Sequence, residues 1–192
     1  MYRDKSLLPT QAIRLTVLGS LGLGARRYGE LANETRHFNA AIVGPSLDLL
    51  GTSIELLRFE GLIEPVDGQG MADNAVMRLT EAGRGALHDL LVAPLRSPLN
   101  DIGRLILALK LRFLHLLPAS DQSAQAELLV EMAEGEVARL ADLRRRAATE
   151  PGPFGAWLEL DLAQARARLA WFEALRESLT APAPRAAEAP AV

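Results

Sequence analysis

The side chains able to carry bond chemistry in this chain are few and scattered. Its three histidines, His37, His88 and His115, fall on three different predicted helices. None has a carboxylate at i,i+4 spacing, and a surface or half-buried imidazole accounts for each. There is no cysteine, which removes disulfides, thiolate metal ligands and cysteine nucleophiles. Gly19, Gly22 and Gly24 follow a helix rather than a strand, so they read as a helix stop and a tight turn, not as a nucleotide cradle. Glu131, Glu134 and Glu136 read as a solvated helix face rather than a general acid–base pair. No catalytic residue, metal or cofactor is expected, and an enzyme is disfavoured.

The chain has 192 residues, 49% of them hydrophobic, so it can bury a core, and its Ala, Leu and Arg favour helix. The apolar stretch near the start is broken by Gln11, Arg14 and Thr16, so no signal peptide is read there. No run approaches the ~18 apolar residues that a membrane helix requires. The stretch from Leu105 to Leu117 is interrupted by Lys110, Arg112 and His115. A soluble cytoplasmic protein without membrane contact is expected. Net charge is −3, and residues 1–95 hold nine Lys/Arg against eleven Asp/Glu, a net of −2. Phosphate neutralisation supplies most nucleic-acid affinity, so this balance alone counts against a nucleic-acid partner.

The elements that would position any site are legible from punctuation and period. Pro9 opens a helix to about Leu21, and Tyr28 to about Phe38 forms a second. In GPSLDLLGTSIELLRFEGLIE, residues 44–64, Leu47, Leu50, Ile54 and Leu57 mark the buried face of a third helix. Gly61 stops it, and Leu62 to Val66 and Asn74 to Leu79 are predicted strands joined by a glycine-rich loop. Thr80-Glu81 caps a fourth helix to about Val92. Ser97 as N-cap and Pro98 at the first position open an apolar helix to Leu117. Helices over about 121–148 and 154–179 follow, and residues 181–192, APAPRAAEAPAV, are expected to be disordered. The last helix carries Leu158, Leu162, Leu169, Phe172 and Leu179 at near-heptad spacing, which suggests a seam against a second subunit. Trp157 and Trp171 stand two heptads apart on it, spaced for a dimer core or for an aromatic-ligand pocket.

This order resembles the PadR-like family of winged-helix transcription regulators, in its AphA-like branch. The resemblance is carried by YGEL at Tyr28 to Leu31, Ser46 opening the third helix, EGLIE at Glu60 to Glu64, LTEAGRGAL at Leu79 to Leu87, and ARLAWFEALRESL at Ala167 to Leu179. It covers about residues 9–179. It implies a mainly α fold: a winged helix-turn-helix DNA-binding domain with a small β-hairpin wing over 1–95, a coiled-coil-like helical dimerisation and effector domain over 96–180, and a tail over 181–192. The implied activity is that of a homodimer on promoter DNA, its two recognition helices meeting half-sites about one DNA turn apart. The implied partners are double-stranded DNA, a second copy of the chain and a small aromatic effector.

The third helix and the wing depart from the family's pattern. Leu49 and Gly51 stand where polar groove-facing residues are expected, and the wing, DGQGMADNAVMR, has Arg78 as its one base. DNA contact would therefore fall to Ser46, Thr52 and Ser53 on the helix, to Gln69 and Asn74 in the wing, and to Arg26, Arg27, Arg36 and Arg78 on phosphate. Dimerisation would use Leu158, Leu162, Leu169, Trp171, Phe172 and Leu179. The rival reading is a winged-helix protein–protein interaction module, binding through the uncharged Leu49/Gly51 surface without reading a DNA sequence.

Overall fold

A computed structural model of the chain describes residues 9–44, 50–66, 75–95 and 98–180. The elements are α1 (Pro9–Gly22), β1 (Arg26–Arg27), α2 (Tyr28–Val43), α3 (Leu50–Phe59), β2 (Ile63–Pro65), β3 (Val76–Leu79), α4 (Glu81–Val92), α5 (Asp101–Phe113), a 3-10 turn (Leu114–Leu116), α6 (Ala119–Arg146) and α7 (Phe154–Thr180). The fold is mainly helical with one small antiparallel sheet, and the chain divides into two compact units between Pro118 and Ala119.

In the N-terminal unit α1 is the axis. Ala12, Ile13, Leu15, Val17 and Leu18 are all fully buried, because α2, α3, α4, α5 and β3 pack around the helix. Thr16 is buried as well, its hydroxyl bonded to the Ala12 carbonyl (2.9 Å) and to Asn39 Oδ1 (3.2 Å). The sheet runs β1-β3-β2, with Arg26 opposite Met77 and Glu64 opposite Arg78. A helical bundle backed by this three-stranded sheet is the winged-helix arrangement.

The exit of α3 explains the EGLIE motif. Gly61 takes φ +71°, its N–H bonds to the Arg58 carbonyl, and the Leu62 N–H bonds to the Leu57 carbonyl, both at 2.9 Å. That closes a glycine-ended helix cap and turns the chain into β2. Thr80 then caps α4: its Oγ1 accepts from the Gly83 N–H (3.0 Å) and donates to the Gly61 carbonyl (2.7 Å), tying the start of α4 to the end of α3.

Several expectations shift. α2 continues to Val43 rather than stopping near Phe38. Asn100, not Ser97, caps α5, its Oδ1 accepting from the Gly103 N–H at 2.8 Å, and Ser97 lies outside the described residues. α5 packs on α1 and α2, so it belongs to the N-terminal unit and the compact boundary falls after Pro118, later than the expected 95/96. The tail over 181–192 lies outside the described residues.

The C-terminal unit is a pair of long helices. Its inter-helix ion pairs, Arg144–Glu159 (2.7 Å), Glu136–Arg168 (3.0 Å) and Glu127–Arg176 (3.4 Å), step back along α6 as they step forward along α7, so the helices are antiparallel. Leu140 of α6 packs with Leu162 and Ala165 of α7.

Candidate nucleic-acid interface

α3 presents two faces. Ile54 and Leu57, three residues apart, are buried, while Glu55, Leu56, Arg58 and Phe59 face solvent. Thr52 and Ser53 fall in the opening turn of α3, and their side chains lie outside the described part. Ser46, Gln69 and Asn74 lie outside the described residues altogether.

The four candidate arginines are all described, and they are not equivalent. Arg26 and Arg27 form β1, which pairs with β3, so both share the small sheet with Arg78. Arg26 is half-buried; its Nη1 lies 3.4 Å from Glu34 Oε2 and its Nε donates to the Ser20 carbonyl at 3.4 Å. Arg78 is paired across the strands with Glu64 at 2.8 Å. Arg36 donates to Asn33 Oδ1 at 3.1 Å, a neutral group, and has no ion-pair partner among the described residues. Arg27 is exposed and, among the described residues, has no ion-pair partner. Of the four candidates, Arg27 and Arg36 are therefore the two without an ion-pair partner among the described residues.

Two acids at the exit of α3, Glu60 and Glu64, are engaged in the fold, while Glu55 is exposed on the helix. Glu60 receives a two-pronged contact from Arg14 of α1, Nη1 to Oε1 at 2.9 Å and Nη2 to Oε2 at 2.5 Å. That hydrogen bonding holds the Glu60 carboxyl below its ordinary range. With Glu64 held by Arg78, two acids of EGLIE are neutralised locally, which removes much of the repulsion a phosphate backbone would meet at this end.

One network here has no signal in the sequence. Arg112 of α5 pairs with Glu34 of α2, and its guanidinium lies over the rings of Phe38 (4.7 Å) and Phe113 (5.1 Å). Glu34 thus joins Arg112, 78 residues along the chain, to Arg26, a separation at which no helical or strand period could have linked them. Its effect on the interface is to fix β1 against α2 and so to fix the base of Arg27.

In the C-terminal unit the six seam candidates part into groups. Leu158, Leu162 and Phe172 are buried within the single chain, Leu169 and Leu179 are half-buried, and Trp171 is 53% exposed. Trp157, 54% exposed, stacks on Phe154 with centroids 5.9 Å apart. His37 and His115 are exposed and His88 is half-buried. Among the described residues no group of three His, Asp or Glu side chains could hold a metal ion, and no helix is long and apolar enough to cross a membrane.

A family model described as "Putative AphA-like transcriptional regulator" matches residues 2–176. Solved structures of Bacillus subtilis PadR are similar at low identity. The complex with p-coumaric acid is 17% identical, covering 88% of this chain and 99% of that one, at a TM-score of 0.38. The complex with operator DNA is 17% identical, covering 86% and 98%, at 0.36. A third PadR structure is 16% identical, covering 92% and 99%, at 0.39. No curated protein matches.

Proposed function

This chain belongs to the AphA-like family of transcriptional regulators, and from that membership we propose that it acts in the cytoplasm as a homodimer that binds promoter DNA and alters transcription. The observation that carries the reading is the seating of α3. Ile54 and Leu57 hold it on α1, the following chain turns directly into the β2–β3 pair, and its outer side is left to solvent. In this reading the N-terminal unit docks on the duplex. The opening turn of α3, with Thr52 and Ser53, enters the groove together with Ser46; Gln69 and Asn74 of the wing meet the neighbouring groove edge, and Arg27 and Arg36 hold phosphates. Arg26 and Arg78 act from behind, through the pairs that fix the sheet.

The C-terminal unit supplies the dimer contact. Since Leu158, Leu162 and Phe172 are already covered, the second copy is read onto the outer side of α7, where Trp157, Leu160 and Trp171 are each more than half exposed. These three fall within about 60° of one another around the helix at 3.6 residues per turn. A small aromatic effector, implied by the family resemblance, is part of the same proposal and would alter DNA retention when added.

The test is electrophoretic retardation of a duplex taken from upstream of the protein's own gene. Retention that weakens steeply with salt is expected. Absence of retardation at low salt, for that duplex and for random DNA alike, would overturn the reading in favour of a winged-helix interaction module. One observation favours that second reading: Phe59 is 89% exposed and Leu56 47% exposed on the later turns of α3, apolar surface that a phosphate backbone does not need.

A further inference from the structure

The N-terminal unit holds a half-open pocket of about 320 Å³. It is built where the end of α1, strand β3, one face of α4 and the 3-10 turn converge. α4 contributes Arg84, Leu87, His88 and Leu91, the i, i+3, i+4, i+7 positions of one side of a helix. Leu87 and Leu91 are buried, whereas the side chains of Arg84 and His88 are about half exposed, as is that of Arg78 on β3. The pocket is thus apolar within and cationic at its mouth. Among the described residues its apolar wall consists of six leucines, and its one ring is the half-exposed imidazole of His88 at the mouth, so the apolar interior itself offers no aromatic face.

We propose that this pocket binds an aliphatic monocarboxylate, its chain among the leucines and its carboxylate on the guanidiniums of Arg78 and Arg84. Each guanidinium carries five N–H donors. Arg78 commits Nε and Nη2 to Glu64, and Arg84 commits the same two nitrogens to Glu81, so both retain donors for a third group. The Arg84–Glu81 contact joins two exposed side chains one helical turn apart and holds its guanidinium only weakly. A hydrocarbon chain matches the leucine wall because it bends to fill an irregular lining, and each methylene buried adds affinity. The ligand is distinct in class from the small aromatic effector that the family resemblance implies. The proposal does not rest on DNA binding, because occupancy is measured with no DNA present.

The experiment is calorimetric titration of the full chain with hexanoate, octanoate and decanoate, with 1-octanol and 3-phenylpropionate as comparators. Affinity is expected to rise about fourfold for each added methylene. Octanoate should bind about tenfold more tightly than 1-octanol, and Arg84→Gln, a surface change that leaves thermal melting unaltered, should weaken octanoate by about tenfold. Leu116→Trp, which fills the pocket, should abolish binding; if that variant fails to fold, Arg84→Gln decides. The proposal is overturned if octanoate does not bind at millimolar concentration, if the alcohol binds as tightly as the acid, if 3-phenylpropionate binds more tightly than octanoate, or if Arg84→Gln or a folded Leu116→Trp leaves octanoate binding unchanged.

Discussion

Gly83 lies so close to Leu62 that a Cβ placed on it would stand 1.9 Å from the Leu62 carbonyl oxygen, itself bonded to the Thr80 N–H at 3.1 Å. The first turn of α4 is therefore seated directly on the exit of α3, backbone on backbone. Gly83→Ala forces that junction apart and is expected to cost about 1–3 kcal/mol, as overpacking against an unyielding group does. Gly85, two residues on, has open space around it. Gly85→Ala should instead stabilise by roughly 0.5–1 kcal/mol, because alanine is the better helix residue. Urea unfolding of the two variants should give opposite signs, and equal shifts would contradict the packing at Leu62.

Lys110 tests the pH dependence of the core. It is 4% exposed, its Nζ donates to the Leu91 carbonyl near the end of α4, and burial lowers its pKa from 10.5 to about 8. The folded protein releases this proton near pH 8 and the unfolded chain near 10.5, so between those values the unfolded state binds more protons and stability rises with pH. Relative to Lys110→Met, the wild type should gain roughly 1–2 kcal/mol between pH 7.5 and 9.5. A difference that stays flat across that window in urea titrations would refute it.

The Arg14–Glu60 pair sets an acid limb. The pKa of Glu60 lies below 4.5 in the folded state, so its contribution is present above the unfolded carboxylate value and fades as pH falls through the folded one. Glu60→Gln should lose about 0.2–1 kcal/mol at neutral pH and little once the carboxylate of the wild type is protonated. Thermal melts at pH 7 and pH 3 would show the gap closing, and a gap that persists unchanged at pH 3 would contradict the assignment.

Neighbouring residues on α7 should behave oppositely. Phe172 is 1% exposed, and Phe172→Ala should destabilise the fold by about 3–5 kcal/mol. Trp171→Glu should leave secondary structure and melting of the monomeric unit nearly intact while shifting sedimentation from the dimer to the mass of one chain, 20.8 kDa. A Trp171→Glu variant that still sediments as a dimer would move the contact away from the outer side of α7.

Arg27 and Arg26 separate contact from support. Arg27→Ala should weaken DNA retention across sequences and reduce the magnitude of the salt slope by about one, with no change in melting. Arg26→Ala should show its effect first in melting, because it breaks the contacts to Glu34 and Ser20. Equal effects of the two on both measurements would contradict the division.

Much of the fold was legible because its signals are local. Thr80 before Glu81 and Gly61 after Phe59 each act within a turn or two, and the structure has a cap and a helix stop at those places. The leucine spacing of α7, expected to face a second subunit, is partly covered within the single chain, where Leu158, Leu162 and Phe172 are buried. What was not legible depends on partners far along the chain. α2 runs past Phe38, and its next residue, the polar Asn39, is buried against Thr16 of α1, a partner 23 residues away. β1 is two arginines with no strand character of their own, and it exists only through its pairing with β3. α5 looked like the start of a second domain because Pro94 and Ser97-Pro98 precede it, and only contact with α1 and α2 decides where it packs. The candidate interface was half legible: the arginines could be named, but not which of them the fold had already engaged.

The bridge from Arg112 through Glu34 to Arg26 has a direction that a drawing of plus and minus signs would hide. Exchanging the charges, with glutamate at 112 and arginine at 34, would restore one attraction on paper. A carboxylate over the Phe38 and Phe113 rings would meet their electron-rich faces, and the new arginine would confront Arg26. The three corners are therefore not interchangeable. Variation at Glu34 cannot be rescued at Arg112 alone, so in any library of this protein these positions should be tolerated only in their present arrangement.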